Sequence, residues 1–216
     1  MSMSLSVLVV SLLVLPLAGV IACNSVNASS RALPAAEVDA PLTSTHGQQS
    51  VVLAGGCFWG IQAVFQHVKG VTSAVSGYSG GSAQTANYDK VCGGDTGHAE
   101  SVKITYDPAQ ISYGQILRIF FSVAHDPTEM NRQGPDSGTQ YRSAIFYDSE
   151  EQKRIAETYI AQLDRASAFP RRIVTQVTPL EAFYPAEDYH QNYAENHPSQ
   201  PYIVFNDAPK VVEPLQ

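Results

Sequence analysis

Twice along this chain an extended run gives way at a turn to apolar residues at helical spacing and then returns to an extended run. The first unit starts at Ser50 to Leu53, turns at Gly55-Gly56, and continues with Ile61, Val64, Phe65 and Val68 on one helix face. Gly70 stands where a helix ends on glycine, and Val71 to Tyr78 is the second extended segment, with Val71, Ser73 and Val75 on one side. In the second unit Glu100 to Tyr106 alternates, Asp107-Pro108 turns, and Ile116, Leu117, Phe120 and Phe121 mark a helix before Ser143 to Tyr147 returns as a strand. Two βαβ units predict an α+β fold, a two-layer sandwich with a ferredoxin-like βαβ-βαβ core and long loops. Ser149 and Gln152, at capping-box spacing before Ile155, Tyr159, Ile160 and Leu163, add a C-terminal helix, and Ile173 to Val177 adds an edge strand.

Composition narrows the partners. With 44% hydrophobic and 15% charged residues the chain can bury a core, which excludes disordered and collagen-like classes. A net charge of −7, with no basic cluster beyond Arg171-Arg172, leaves no footprint for nucleic acid. The three cysteines, Cys23, Cys57 and Cys92, are too few for a disulfide scaffold and form no CxxC pair of the zinc type, so no metal is expected.

Residues 1–23 read as a secretory leader: Leu5 to Ala22 is uncharged and apolar, and it ends in small residues. Val20-Ile21-Ala22-Cys23 resembles the lipobox of bacterial lipoproteins, in which the cysteine is lipidated and becomes the first mature residue; a plain leader or an uncleaved membrane anchor are the alternatives. The expected location is exported, either periplasmic or as a membrane-anchored lipoprotein if the source is bacterial. Residues 24–49 have the composition of a flexible linker, residues 50–216 are expected to form the one folded domain, and Asn206 to Gln216 is expected at its periphery. A monomer is the default.

Gly77 to Gly97 and His125 to Gln140 are glycine-rich and irregular, longer than the roughly 12–15 residues at which a loop inside a domain usually has a function. They are expected to wall a site. Cys57 opens the first helix after two glycines, where unpaired N–H groups and the positive end of the helix dipole favour a thiolate nucleophile over an inert thiol. Phe58 could serve core or pocket, whereas Trp59, the only tryptophan, is expected as a pocket wall.

Glu100 shares strand parity with Val102, Ile104 and Tyr106 and so points inward, where burial raises a carboxyl pKa and suits a general acid. A structural pairing with His98 or Arg142 is the alternative. Asp136, Gln140, Tyr141 and Arg142 lie where the second loop meets a strand, and Tyr88 lies in the first loop. His98, His125, His190 and His197 are too scattered for a metal site, and Glu187-Asp188 reads as a solvated helix start, with an approach to the site as the alternative.

GCFWG at Gly56 to Gly60, TGHAE at Thr96 to Glu100, NRQGPDSGTQYRSAIF at Asn131 to Phe146 and AEDYHQ at Ala186 to Gln191 together resemble the peptide methionine sulfoxide reductase A family. The resemblance implies reduction of the S epimer of methionine sulfoxide, free or in proteins, through a Cys57 sulfenic acid, with no metal or organic cofactor. It also places Phe58 and Trp59 at the substrate methyl, Glu100 as proton donor, and Tyr88, Asp136 and Tyr141 around the sulfoxide oxygen. Family members often carry recycling cysteines in a glycine-rich tail; this tail has none. Either Cys92 is the resolving thiol or an external reductant such as thioredoxin, glutaredoxin or dithiothreitol attacks directly, and the external route is favoured. Two other functions stay open: a cysteine hydrolase or acyltransferase with His98 or His190 as base, and an exported peptide-binding module.

Overall fold

The computed structural model describes residues 33–212, so the leader and Cys23 lie outside the described residues. The sheet is organised around β3 (Ala99–Tyr106), which has an antiparallel partner on each side. β1 (Gln49–Ala54) pairs with Leu53 opposite Val102, and β2 (Val71–Ser79) with Tyr78 opposite Glu100. β1 and β2 therefore run parallel with β3 between them, joined by α1 (Phe58–Gln66) as the crossover. β6 (Ala144–Tyr147) pairs antiparallel with β1, β7 (Gln176–Pro179) parallel with β6, and β8 (Phe183–Pro185) antiparallel with β2, in the order β7-β6-β1-β3-β2-β8. The inner order β6-β1-β3-β2 is the α+β, ferredoxin-like core that the two periodic units predict. The second long loop adds a small ribbon, β4 (Arg132–Gln133) with β5 (Asp136–Ser137), and the first holds the short helix α2 (Tyr88–Val91).

α1, α3 (Tyr113–Ile119) and α4 (Glu150–Arg165) cover one sheet face, where Leu53, Val102, Ile104, Phe65, Ile116, Phe121, Ile155 and Leu163 form a continuous buried core. The other face carries only Val52, Ala54, Ala99, Ala144 and Phe146 under Leu180 and Phe183. At roughly 1.5–3 kcal/mol for each large apolar side chain fully buried, the helical face supplies most of the hydrophobic stabilisation. Glu100 hangs from β3 on that face, at its end nearest the start of α1.

The structure corrects several expectations. A bulge between Val71 and Ser73 shifts the parity of β2, so Ala74, Ser76 and Tyr78 turn inward and Ser73 does not. Ser149 caps α4 by accepting the Gln152 N–H at 3.3 Å, but Gln152 Oε1 takes the Asp148 N–H instead of completing the box. The reciprocal box is at Ser112 and Gln115 on α3. The edge strand begins only at Gln176, because Ile173 N–H donates to Asp164 and Val174 N–H to Pro127.

The stretch given as a flexible linker is, from Leu33 onward, a packed strap. Leu33 is buried, its carbonyl accepts from Arg118 Nε at 2.7 Å, and Tyr159 Oη donates to the Pro34 carbonyl at 2.8 Å. Asp39 accepts the Gly114 N–H at 2.7 Å and the Ser112 hydroxyl, closing the start of α3. Composition registered the proline and alanine content but not these long-range partners. The described part of the C-terminal stretch, up to residue 212, is not peripheral either: a wide turn at Ile203–Asp207 and α5 (Ala208–Val212) fold back over α1, with Ile203 and Asp207 buried.

Candidate active site

β1 ends at Ala54, and the chain turns through Gly55-Gly56 to place Cys57 as the N-cap of α1. Gly56 has φ +94°, and a Cβ there would lie 2.6 Å from the Gln133 side chain. Only glycine fits this turn, and its bareness brings the β4–β5 ribbon against the turn that leads into Cys57. From the first turn of α1 the Phe58 N–H donates to Glu100 Oε2 at 3.0 Å, and the Trp59 backbone N–H lies near enough to the Cys57 sulfur to favour its charged form.

Glu100 is 3% exposed, and burial pushes its pKa up to about 8; the Phe58 N–H and the Cys57 thiol pull it down, while Asp136 and Asp207 add to the rise. At neutral pH it holds a proton, as a general acid must. The alternative partners are committed elsewhere. Arg142 donates to the carbonyls of His98, Gly97 and Thr139, stapling the two long loops together, and His98 engages the Gly81 N–H and the Ser82 carbonyl.

Cys57 departs from the expected helix-stabilised thiolate. Burial pushes its thiol well above the ordinary value, and the carboxylates of Glu100, Asp207 and Asp136 push it further. The Trp59 N–H opposes this shift without cancelling it. Desolvation of the charged form outweighs the helix terminus, so the resting site holds a neutral thiol beside a neutral acid.

Aromatic rings wall the thiol. Phe58 is buried against Tyr78 and His190, with centroids at 5.8 and 5.0 Å. Trp59 is half-buried, stacks on Tyr193 at 3.8 Å, meets Tyr202 edge-on at 5.9 Å and donates Nε1–H to His190 Nδ1 at 3.2 Å. Tyr88 packs on His190 at 4.4 Å and opens α2, where its N–H donates to Glu187 Oε1; Tyr78 Oη donates to Glu187 Oε2. Burial pushes the Tyr141 phenol up, and the nearby charges of Glu100, Asp136 and Cys57 act in the same direction. Asp136 accepts the hydroxyl of Tyr202. Cys57, Phe58, Trp59, Tyr88, Glu100, Asp136 and Tyr141 thus share one neighbourhood. Cys92 is exposed at the end of α2 beside Tyr88; burial pushes its thiol up and the Tyr88 hydroxyl pulls it down.

Sequence reasoning missed Tyr202, Tyr193, His190, Glu187 and Asp207 as parts of this wall. Glu187 and His190 do fall in the AEDYHQ motif, but for Tyr202 and Asp207 the signal was the apolar run Tyr202-Ile203-Val204-Phe205, and a single wide turn gives no periodicity to read. For a hydrolase, neither proposed base serves: His98 is bound as above, and His190 accepts the Trp59 indole N–H.

A glycine turn, a capping cysteine, a buried acid on the neighbouring strand and an aromatic wall therefore coincide with the motifs noted in the sequence. Residues 49–215 match the family model described as peptide methionine sulfoxide reductase. The chain belongs to this family. The reductase is 59% identical over 165 residues to "Peptide methionine sulfoxide reductase MsrA 2" of Mesorhizobium japonicum, covering 76% of this chain and 85% of that one. It is 53% identical over 178 residues to the protein of the same name from Synechocystis, covering 82% and 83%. Among solved structures, the reduced form of Mxr1 from Saccharomyces cerevisiae is similar with a TM-score of 0.66 and 32% identity, over 74% of this chain and 94% of that one. Among the described residues no helix is long and apolar enough to cross a membrane, and no group of three or more His, Cys, Asp or Glu side chains could hold a metal ion.

Proposed function

We propose that this reductase converts the S epimer of methionine sulfoxide, free or within proteins, to methionine, with Cys57 as nucleophile and Glu100 as proton donor. The observation that carries this is the buried Glu100 carboxyl held at 3.0 Å by the Phe58 N–H, one residue after Cys57 at the start of α1. The sulfoxide oxygen accepts the Glu100 proton together with hydrogen bonds from Tyr88 and Tyr141, while its methyl group lies against Phe58 and Trp59. Cys57 Sγ attacks the sulfoxide sulfur, and its own proton returns to Glu100. The hydroxyl then passes to Sγ and the thioether leaves. Thiol plus sulfoxide becomes sulfenic acid plus thioether, with Glu100 regenerated.

Return of Cys57 to the thiol takes two electrons from an external thiol, of the thioredoxin, glutaredoxin or dithiothreitol kind. Two observations support this route: no cysteine follows Cys92, and Cys92 is not an activated thiol, since burial pushes its pKa up. The test is reduction of each methionine sulfoxide epimer with dithiothreitol, by wild type and by Cys57→Ser. Turnover of the S epimer by wild type alone is expected; no turnover by wild type would refute the assignment.

Export belongs to the same proposal. It rests on the apolar stretch Leu5 to Ala22 and the lipobox-like end at Cys23. Mass spectrometry of the mature N-terminus tests it: a lipid on Cys23 means a membrane-anchored protein, and an unmodified chain beginning near residue 23 means a soluble exported one. A chain still beginning at Met1 would overturn cleavage.

A further inference from the structure

Asp207 is fully buried, yet its carboxyl has a single partner. Lys210 Nζ donates to Oδ1 at 3.1 Å, and Oδ2 is buried with no partner among the described residues. A buried carboxyl in this state costs stability compared with an apolar residue of the same size, so its presence calls for another explanation.

The pair rests on the catalytic helix. Gly60 follows Cys57 on the first turn of α1, and a Cβ there would lie 2.2 Å from Asp207 Oδ1 and 2.8 Å from Lys210 Nζ. Carboxyl and ammonium therefore sit directly on the α1 backbone, in the space that glycine leaves open. Asp207 also ends the wide turn Ile203–Asp207, whose preceding residue is Tyr202. Tyr202 donates its hydroxyl to Asp136 and lies edge-on to Trp59. Within the turn, Asn206 Nδ2 donates to the Tyr202 carbonyl at 3.0 Å, and buried Ile203 fixes its underside. Pinning Asp207 on Gly60 thus fixes one end of a short rigid segment that carries Tyr202 at the other.

We propose that the buried Asp207–Lys210 pair, seated on Gly60, is a positioning device that holds Tyr202 against Asp136 and Trp59 and so completes the substrate side of the Cys57 pocket. An apolar residue at 207 would fill the volume but would not fix the segment, because the bond from Lys210 closes the turn onto the following helix and holds the carboxyl and ammonium together in the space over Gly60. This inference rests on the assignment of the site to sulfoxide reduction.

The test compares Asp207→Leu, which keeps volume and loses the bond, with Asp207→Asn, which keeps an acceptor for Lys210 and loses the charge, in the full chain. Positioning predicts that Asp207→Leu raises KM for methionine sulfoxide by about tenfold with kcat changed much less. It also predicts that Asp207→Leu shifts the emission of Trp59, the only tryptophan, and that Asp207→Asn restores both. In a Tyr202→Ala background, Asp207→Leu should add no further rise in KM. Wild-type KM and emission for Asp207→Leu would overturn the proposal and leave the pair a packing feature. Equal defects in the Leu and Asn variants would overturn it in favour of an effect of charge on Cys57 and Glu100. Inactivity of the wild type towards both epimers would instead refute the reductase assignment, so the two failures are distinguishable.

Discussion

The Phe58 N–H donates to Glu100 Oε2 at 3.0 Å, so the first turn of the helix that Cys57 caps directs a backbone donor at the buried carboxyl. Burial raises both groups, yet the acid is left at about 8 while the thiol stays well above its ordinary value. The site rests fully protonated, and in the proposed mechanism the nucleophile forms only as substrate accepts the Glu100 proton.

Replacing Glu100 by Gln removes that proton donor with little change of shape. Sulfoxide reduction is expected to fall by about 10²- to 10⁴-fold, the usual contribution of a placed general acid. In the wild type, kcat/KM should decline as pH rises through about 8 and Glu100 ionises. A rate profile flat across this range would remove Glu100 from the role.

The same variant should make the sulfur more reactive toward an alkylating agent. Ionised Glu100 raises the Cys57 pKa, so deleting its charge lowers that pKa and enlarges the thiolate fraction. At about pH 9, iodoacetamide is expected to modify Cys57 faster in Glu100→Gln than in wild type, although reduction is slower. Parallel losses of alkylation and reduction would mean that the substitution damages the site generally.

Stability carries the same signature. The folded-state pKa of Glu100 lies above its ordinary 4.5, so the native protein binds this proton more tightly than the unfolded chain does. The resulting stabilisation is complete below about pH 4.5 and is lost as pH rises through about 8. Urea midpoints measured across that window should fall more steeply for wild type than for Glu100→Gln, and equal slopes would contradict the assignment.

Much of this was legible because the strands and α1 are periodic. Alternation placed Glu100 on the inner face, and glycines before a helical pattern placed Cys57 at its start. What escaped the sequence depends on contacts between segments far apart. The strap from Leu33 is held by Arg118, Tyr159 and Gln162, and the Tyr202 turn by Asp136 and Gly60. Neither has a repeat of 2 or 3.6 residues to reveal it. The protonation of Cys57 was missed for a related reason, since helix polarity is local and readable whereas desolvation is set by everything packed around the sulfur.

The strap has a measurable energy. Asp39 satisfies the Gly114 N–H at 2.7 Å and the Ser112 hydroxyl at the start of α3. Asp39→Ala leaves that N–H without its partner and should cost about 1–2 kcal/mol, the range for loss of a helix cap. The check is the urea midpoint at unchanged m-value. No loss would mean that the strap docks without stabilising the core.

Cys92 decides how the cycle closes. Cys92 ends α2, the helix that Tyr88 opens, and Tyr88 packs on the His190 ring that also meets Phe58 and Trp59 beside Cys57. If Cys92 attacked the Cys57 sulfenic acid, the new disulfide would expel water and the protein would end about 2 mass units below its reduced form; if not, the sulfenic acid would remain about 16 units above it. The thiol that must attack is exposed but pushed up by burial, which lowers its thiolate fraction at neutral pH. The expected outcome of one turnover without reductant is therefore the heavier species, trapped by dimedone on Cys57. Cys92→Ser should then match wild type in multiple turnover with dithiothreitol, whereas a dominant lighter species, absent in Cys92→Ser, would make Cys92 the resolving thiol.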